Sequence, residues 1–238
     1  RNQLKEKFMY FNEDASVQGA HHIAENRYEP EDGLEQYISW GDGVWWLGNY
    51  IGVLALEYRL LEINGQDIDE TLDELNWAFD TYYRLDYNAE PCFNDNDGNP
   101  GYESINGFFL RDDLDTDCSA YFDGLEIRSS YITNCQNGEE KNCNSQDQCI
   151  SMFLGLSLVN ELVDNDIIQE RTDEIAELVI GSMNWFNPAV LHFVWEIRNP
   201  VTGGVPSGGQ VYELWSFCWA LAEAAGFITG NNEHKGYS

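Results

Sequence analysis

The chain has 238 residues, 43% of them apolar and 14% aromatic, and sets 42 Asp and Glu against 12 Lys and Arg for a formal charge of −30. That apolar content supports one sizeable domain and excludes a disordered acidic chain, while the charge excludes a basic groove for nucleic acid. No apolar run reaches the eighteen or so residues of a membrane span, and most of the acid excess reads as the solubilising surface of an exported, halophilic or marine protein.

The chain opens at Arg1 with no charged and apolar leader, which reads as a removed targeting segment or as a piece of a longer chain. Leu4, Phe8 and Phe11 suggest a first helix, and residues 12–40 read as a loop with aromatic contacts. His21-His22 is an isolated doublet without Cys or Glu at metal spacing. Val44, Leu47, Ile51, Leu54, Tyr58 and Leu61 alternate in steps of three and four, which predicts a helix over residues 43–63. Trp46, Tyr50, Val53 and Leu60 make a second apolar stripe beside the first, so this helix should be buried on several sides. Asn64-Gly65 stops it, Asp67 and Glu70 open the next, and Leu72, Leu75, Phe79 and Tyr82 carry that one to about residue 86. A connection this short makes an antiparallel hairpin.

Residues 87–144 break the pattern with Gly, Asn and Asp, and are too long for an ordinary connection. A short helix or strand is expected around residues 121–132. Four of the six cysteines, Cys92, Cys118, Cys135 and Cys143, fall in this polar stretch. Six cysteines can pair in fifteen ways. Two disulfides stapling the loop is the favoured reading, most locally Cys92–Cys118 with Cys135–Cys143, and it implies an oxidising compartment. The alternative is six reduced core cysteines. Asp95-Asn96-Asp97-Gly98 is similar to part of an EF-hand loop and makes Asp95 and Asp97 candidate calcium ligands. Phe93 at the first position and Ser104 at the last depart from that loop, and a solvated loop is the competing reading.

Ser145 and Gln148 form a capping box, with Met152, Leu156, Val159 and Val163 behind it and Ile175, Val179 and Met183 on a partner helix. Residues 190–197 read as a short helix, which would put His192 and Glu196 on one face. Ser207 and Gln210 cap a last helix bearing Val211, Leu214, Leu221 and Ala225. No strand alternation stands out. The two hairpins on either side of the loop make a soft internal repeat.

Two segments resemble a known architecture. One is Gly41-Asp42-Gly43-Val44-Trp45-Trp46-Leu47-Gly48-Asn49-Tyr50, running into Leu54-Ala55-Leu56-Glu57-Tyr58. The other is Ser145-Gln146-Asp147-Gln148 followed by Met152-Phe153-Leu154-Gly155-Leu156. Both resemble helix openings in secreted bacterial six-hairpin, or (α/α) toroid, proteins, an architecture that hosts glycoside hydrolases and polysaccharide lyases. The resemblance implies an all-α fold of antiparallel hairpins in a partial toroid, and the absence of a composition shift makes residues 1–238 a single domain with 87–144 as a long Cys-containing loop. The resemblance also implies that acids and aromatics at the inner helix starts surround a cleft that holds sugar.

On that basis Asp42 and Asp147 are the candidate catalytic pair. Trp40, Trp45 and Trp46 are candidate stacking surfaces, and Arg111, His192 and Glu196 are further substrate contacts. Each has a plainer reading: Asp42 as an N-cap among core tryptophans, Asp147 as a helix-dipole acid, Arg111 in a surface ion pair, His192 as a packed histidine. Two functions follow. One is an exported carbohydrate-active protein, with glycan hydrolysis if two carboxylates face each other. The other is a non-catalytic glycan- or protein-binding component of the cell surface. The charge argues against uronates as substrates, and no cofactor is required apart from the calcium just considered.

Overall fold

The computed structural model describes residues 1–12, 14–30, 35–89, 105–131, 144–187, 192–198, 205 and 215–231. Helix α1 (Asn2–Phe8) leads through two short strands, β1 (Asn26–Tyr28) and β2 (Tyr37–Ser39), into the long helices α2 (Gly43–Ile63) and α3 (Asp69–Tyr87). A 3-10 turn (Thr116–Phe122) and strand β3 (Glu126–Arg128) precede helices α4 (Gln146–Leu162) and α5 (Asp166–Met183). Strands β4 (Asn184–Asn187) and β5 (His192–Trp195) and helix α6 (Trp215–Thr229) complete the order. The fold is mostly helical, as the periodicity predicts. Among the described residues no helix is long and apolar enough to cross a membrane.

Both hairpins form as expected. Gly65, at φ +62°, ends α2 by donating its N–H to Glu62 while Gln66 N–H reaches Leu61, a left-handed stop that glycine takes without a Cβ penalty. At the second hairpin, Asn165 Oδ1 accepts from Ile168 N–H, and Gln169 Nε2 turns back to the Val163 carbonyl at 2.6 Å. That amide satisfies one of the carbonyls left open at the end of α4.

The two hairpins meet along α2 and α4, which run parallel. Gly48 lies against Ser151, Gly52 against Leu158 and Gly155, and Tyr58 Oη donates to the Asp164 carbonyl at 3.2 Å, so partner numbers rise together. Small residues four apart, Gly48 and Gly52 on one helix and Ser151 and Gly155 on the other, let the backbones touch. A Cβ on Gly155 would run into the Gly48 carbonyl, and one on Gly48 into the Ser151 peptide. Val44, Leu47, Ile51, Leu75, Phe79, Met152, Leu156, Ile175 and Val179 fill the core between the helices.

Sheet is minor, and β3 falls within the stretch 121–132 that reads as a short helix or strand. β1 pairs antiparallel with β2, and β2 pairs parallel with β3. Three-residue strands are too short to show alternation in a sequence, and β3 joins from about ninety positions away. Beneath this sheet lies a second small core of Ile38, Trp40, Leu114, Phe122 and Ile127. The predicted helix at 190–197 is corrected to strand β5, paired antiparallel with β4 from Asn184↔Trp195 to Asn187↔His192. Its aromatic and β-branched residues favour extended chain, which a short apolar run does not reveal by period. In a strand, positions four apart lie about 13 Å from each other, so His192 and Glu196 do not share a helical face.

The disulfide expectation fails at Cys118. Its thiol carries no disulfide and is buried in the second core, and burial pushes its titration up to about 11. Cys92, Cys135 and Cys143, like Asp95 and Asp97, lie outside the described residues.

The glycine seam yields a contrast. Gly48→Ala and Gly155→Ala should each destabilise by about 1–3 kcal/mol through overpacking. Gly181→Ala, in α5 with nothing within 4 Å of the new Cβ, should stabilise by about 0.5–1 kcal/mol. Urea midpoints of the three variants read both signs.

Candidate functional site

Because α2 and α4 are parallel, their N-termini lie side by side, and the residues that open them come together. Asp42 is the N-cap of α2, yet its carboxylate caps none of the helix N–H groups. Its Oδ1 instead accepts from Arg111 at 3.1 Å and from Gln148 Nε2 at 3.5 Å. Arg111 also reaches the Gly41 carbonyl at 3.4 Å, and Ser130 Oγ donates to that oxygen at 3.3 Å. The Asp42 side chain keeps 41% of its surface exposed, so one face of the carboxylate remains open to solvent.

On α4, Ser145 is the N-cap, but its hydroxyl donates to Asp147 rather than accepting from the helix. Asp147 is exposed, and Gln148, the next residue, is the one turned fully inward toward Asp42. Gln148 Oε1 is buried with no hydrogen-bond partner among the described residues. The two helix starts singled out in the sequence lie together, and the group that reaches Asp42 is the Gln148 amide instead of Asp147.

The tryptophans divide. Trp40 is corrected from a stacking surface to a core residue. It is fully buried with its ring 5.1 Å from Phe122, because β2 turns it into the second core. Trp45 is half-buried and Trp46 exposed, both in the first turn of α2. Arg111 does what a lone base among acids can do, fixing the Asp42 carboxylate. Glu196 follows β5, where its N–H donates to the Met183 carbonyl and its carboxylate pairs with Arg198 instead of with the Asp42 cluster.

Under the site runs a buried polar layer that the sequence signals only through the triplet Arg111-Asp112-Asp113. Asp112 Oδ2 accepts from Ser130 N–H at 2.8 Å and Oδ1 from Leu114 N–H at 3.3 Å. Burial pushes its titration up to about 7, against the pull of these backbone donors. Asp113 takes both arms of the Arg84 guanidinium, at 2.7 and 3.1 Å, and the Gly19 N–H at 3.0 Å. Burial would raise this carboxyl too, but Arg84 and His22 outweigh it and hold it well below the usual carboxylate range. His22 Nε2 stands 3.3 Å from Asp113, and His21 stacks on Trp77 with ring centres 5.2 Å apart. Burial lowers both histidines, His21 to about 4. Gly43 has to be glycine here, since a Cβ would stand 2.7 Å from the Arg111 carbonyl.

A separate cleft of about 340 Å³ lies between the starts of α3 and α5, lined by Asp69, Asp73, Asn76 and Asn165 with Leu72 and Ile167. These helices run opposite to α2 and α4, so the cleft is at the far end from Asp42. Among the described residues no group of three His, Cys, Asp or Glu side chains is placed to hold a metal. Comparison with protein-family models, curated proteins and solved structures finds no match to this chain.

Two outcomes follow from the buried layer. Asp113→Asn leaves the Arg84 guanidinium without its counter-charge, and should cost about 3–5 kcal/mol in urea unfolding, the scale for breaking a buried pair from one side. A cost below about 1 kcal/mol would show the pair to behave as a surface contact.

The second concerns pH. His21 titrates near 6.5 when unfolded and about 4 when folded, so the unfolded chain binds more protons in that window and stability falls as pH drops through it. Asp112 opposes this. The folded state keeps its proton up to about 7 whereas the unfolded state loses it near 3.8, so this group lowers stability as pH rises. Asp112→Asn should therefore show a steeper gain of stability from pH 4 to 7 than the parent, measured as unfolding free energy at each pH. An unchanged or shallower slope would contradict the assignment.

Proposed function

We propose that the chain is an exported carbohydrate-binding protein, with its sugar seat at the paired starts of α2 and α4. The observation that carries the reading is the Asp42 carboxylate, held on one side by Arg111 and Gln148 and open on the other. A carboxylate fixed in this way is an acceptor for sugar hydroxyls, and an exposed indole beside it, Trp46, offers an apolar face for a pyranose ring. The parallel helix pair with adjacent starts also favours the partial toroid, in which inner helices run parallel with their starts around a cleft.

Binding without turnover is preferred over hydrolysis. Hydrolysis needs two carboxyl groups flanking the scissile bond, one of them a proton donor. Asp42 is already shared with a guanidinium, and the group turned toward it is Gln148. The charge of −30 favours neutral glycans over uronates.

Titration calorimetry with a panel of neutral oligosaccharides tests this. Binding is expected, with Trp46→Ala and Asp42→Asn each weakening it by about tenfold or more, equivalent to about 1.4 kcal/mol, and with unchanged circular dichroism. Reducing ends released by the parent and lost in Asp42→Asn would replace binding with hydrolysis. No affinity for any neutral glycan would remove the reading.

A further inference from the structure

Helix α2 keeps an apolar face that remains exposed among the described residues. Trp46, Val53, Leu56, Leu60 and Ile63 are between 37% and 61% exposed. At 100° per residue they fall within an arc of about 100°, opposite the buried Val44, Leu47 and Ile51, and extend about 26 Å along the axis. The polar residue within this arc is Asn49, and its amide is engaged with the Trp45 carbonyl at 2.8 Å and Ser151 Oγ at 3.0 Å. On one margin α4 continues the apolar surface. Leu158 lies against Gly52, and Leu154 is exposed two turns from each of the exposed acids Asp147 and Glu161. On the other margin stand Glu57 of α2 and Glu70 of α3, which share Arg1.

The shape of this surface selects a helix as its occupant. Anchors at intervals of three, four and seven residues along a straight axis are the pattern by which one amphipathic helix seats against another. The charge selects which helix. A second copy of this chain brings another −30 and is repelled on approach, as are nucleic acids and anionic membranes, whereas a cationic segment is drawn in. We propose that the exposed face of α2 is the docking seat of a basic amphipathic helix from a protein partner. Its apolar side lies on Val53, Leu56, Leu60 and Ile63, and its Lys or Arg residues meet the exposed Asp147 and Glu161 along α4. This seat runs away from the helix starts and does not depend on the sugar-binding reading.

The test uses three labelled synthetic peptides of about eighteen residues, five helical turns. One has Leu and Lys arranged with helical period, one is a scramble of the same composition, and one carries Glu in place of Lys. Fluorescence anisotropy is read at about 0.15 M salt, where exposed charges beyond about 8 Å are screened. The periodic Leu/Lys peptide should bind the full chain, and the scrambled and Glu peptides should bind at least tenfold more weakly. Val53→Gln with Leu60→Gln removes apolar contact without changing charge and should weaken binding at least tenfold, with the thermal midpoint showing that the fold persists. Ile63→Gln, at the exposed end of α2, is the second variant and should weaken it about threefold. Equal binding of the scramble, or unchanged binding by the variants, would overturn the proposal in favour of undirected charge attraction. A dimer in sedimentation that the double variant dissociates would overturn it in favour of a second copy. Absence of binding by the periodic peptide would overturn it outright.

Discussion

The backbone-to-backbone contact of α2 and α4 is the constraint on which the rest of the molecule depends. Ordinary helix pairs are held about 8–10 Å apart by their side chains. Here Gly48, Gly52, Ser151 and Gly155 remove the spacers, and the Gly48 carbonyl occupies the place a Cβ on Gly155 would take. Such proximity fixes the register of the two helices to within a fraction of a turn. That register carries Asp42 to Gln148, and it lets Ser151 Oγ reach the Trp45 carbonyl at 2.6 Å. The site at the helix starts is thus a consequence of four small residues that lie one to three turns away from it.

The polar layer beneath the site has a different logic. Three consecutive residues are sent to three different partners: Arg111 to Asp42, Asp112 to backbone N–H groups, and Asp113 to Arg84. Alternate satisfaction of this kind ties the strand-bearing cap, which holds the second core, to the start of α2 and to the last turn of α3. Arg84 extends the tie by donating to the Ala20 carbonyl at 2.9 Å and to that of Ala15. A buried guanidinium with several carbonyl partners positions a loop more narrowly than apolar packing does, because each bond has a direction as well as a distance. It also makes the region sensitive to protonation, with His21, His22, Asp112 and Asp113 all displaced from their ordinary titration by burial and by one another.

Scarcity of bases shapes the surface in turn. Among the described residues nine bases, Arg1, Lys5, Arg27, Arg59, Arg84, Arg111, Arg128, Arg171 and Arg198, form ion pairs with carboxylates. Arg1 and Lys5 together pin α1 onto Glu74, a buried acid of α3 that also accepts from Tyr50. The acids outnumber the bases so far that the surface remains negative after every such pair is formed. An apolar face on such a body is protected from self-association by long-range repulsion while staying available to a cation.

Helix boundaries were legible in the sequence because they depend on local chemistry. A period of 3.6 in Val44, Leu47, Ile51 and Leu54, the Asn64-Gly65 stop and the Ser145 start each act within a few residues. The pairing of helices into hairpins followed from short connections for the same reason, and the resemblance at the two helix starts led to Asp42, Trp45 and Trp46. Apart from the short helix or strand expected around residues 121–132, where β3 forms, the strands were not legible, since three-residue β1, β2 and β3 pair only with one another, across about ninety residues of chain. Nor were the burial of Trp40, the isolation of the Cys118 thiol, and the choice of Gln148 over Asp147. A side chain's direction at a helix start depends on which neighbour is already there, and that neighbour was set by the glycine contact of α2 with α4. Local order in this protein was therefore written in local spacing. The identity of what meets at the site was decided only by tertiary packing, because distances between groups a hundred residues apart are properties of the fold and of no segment within it.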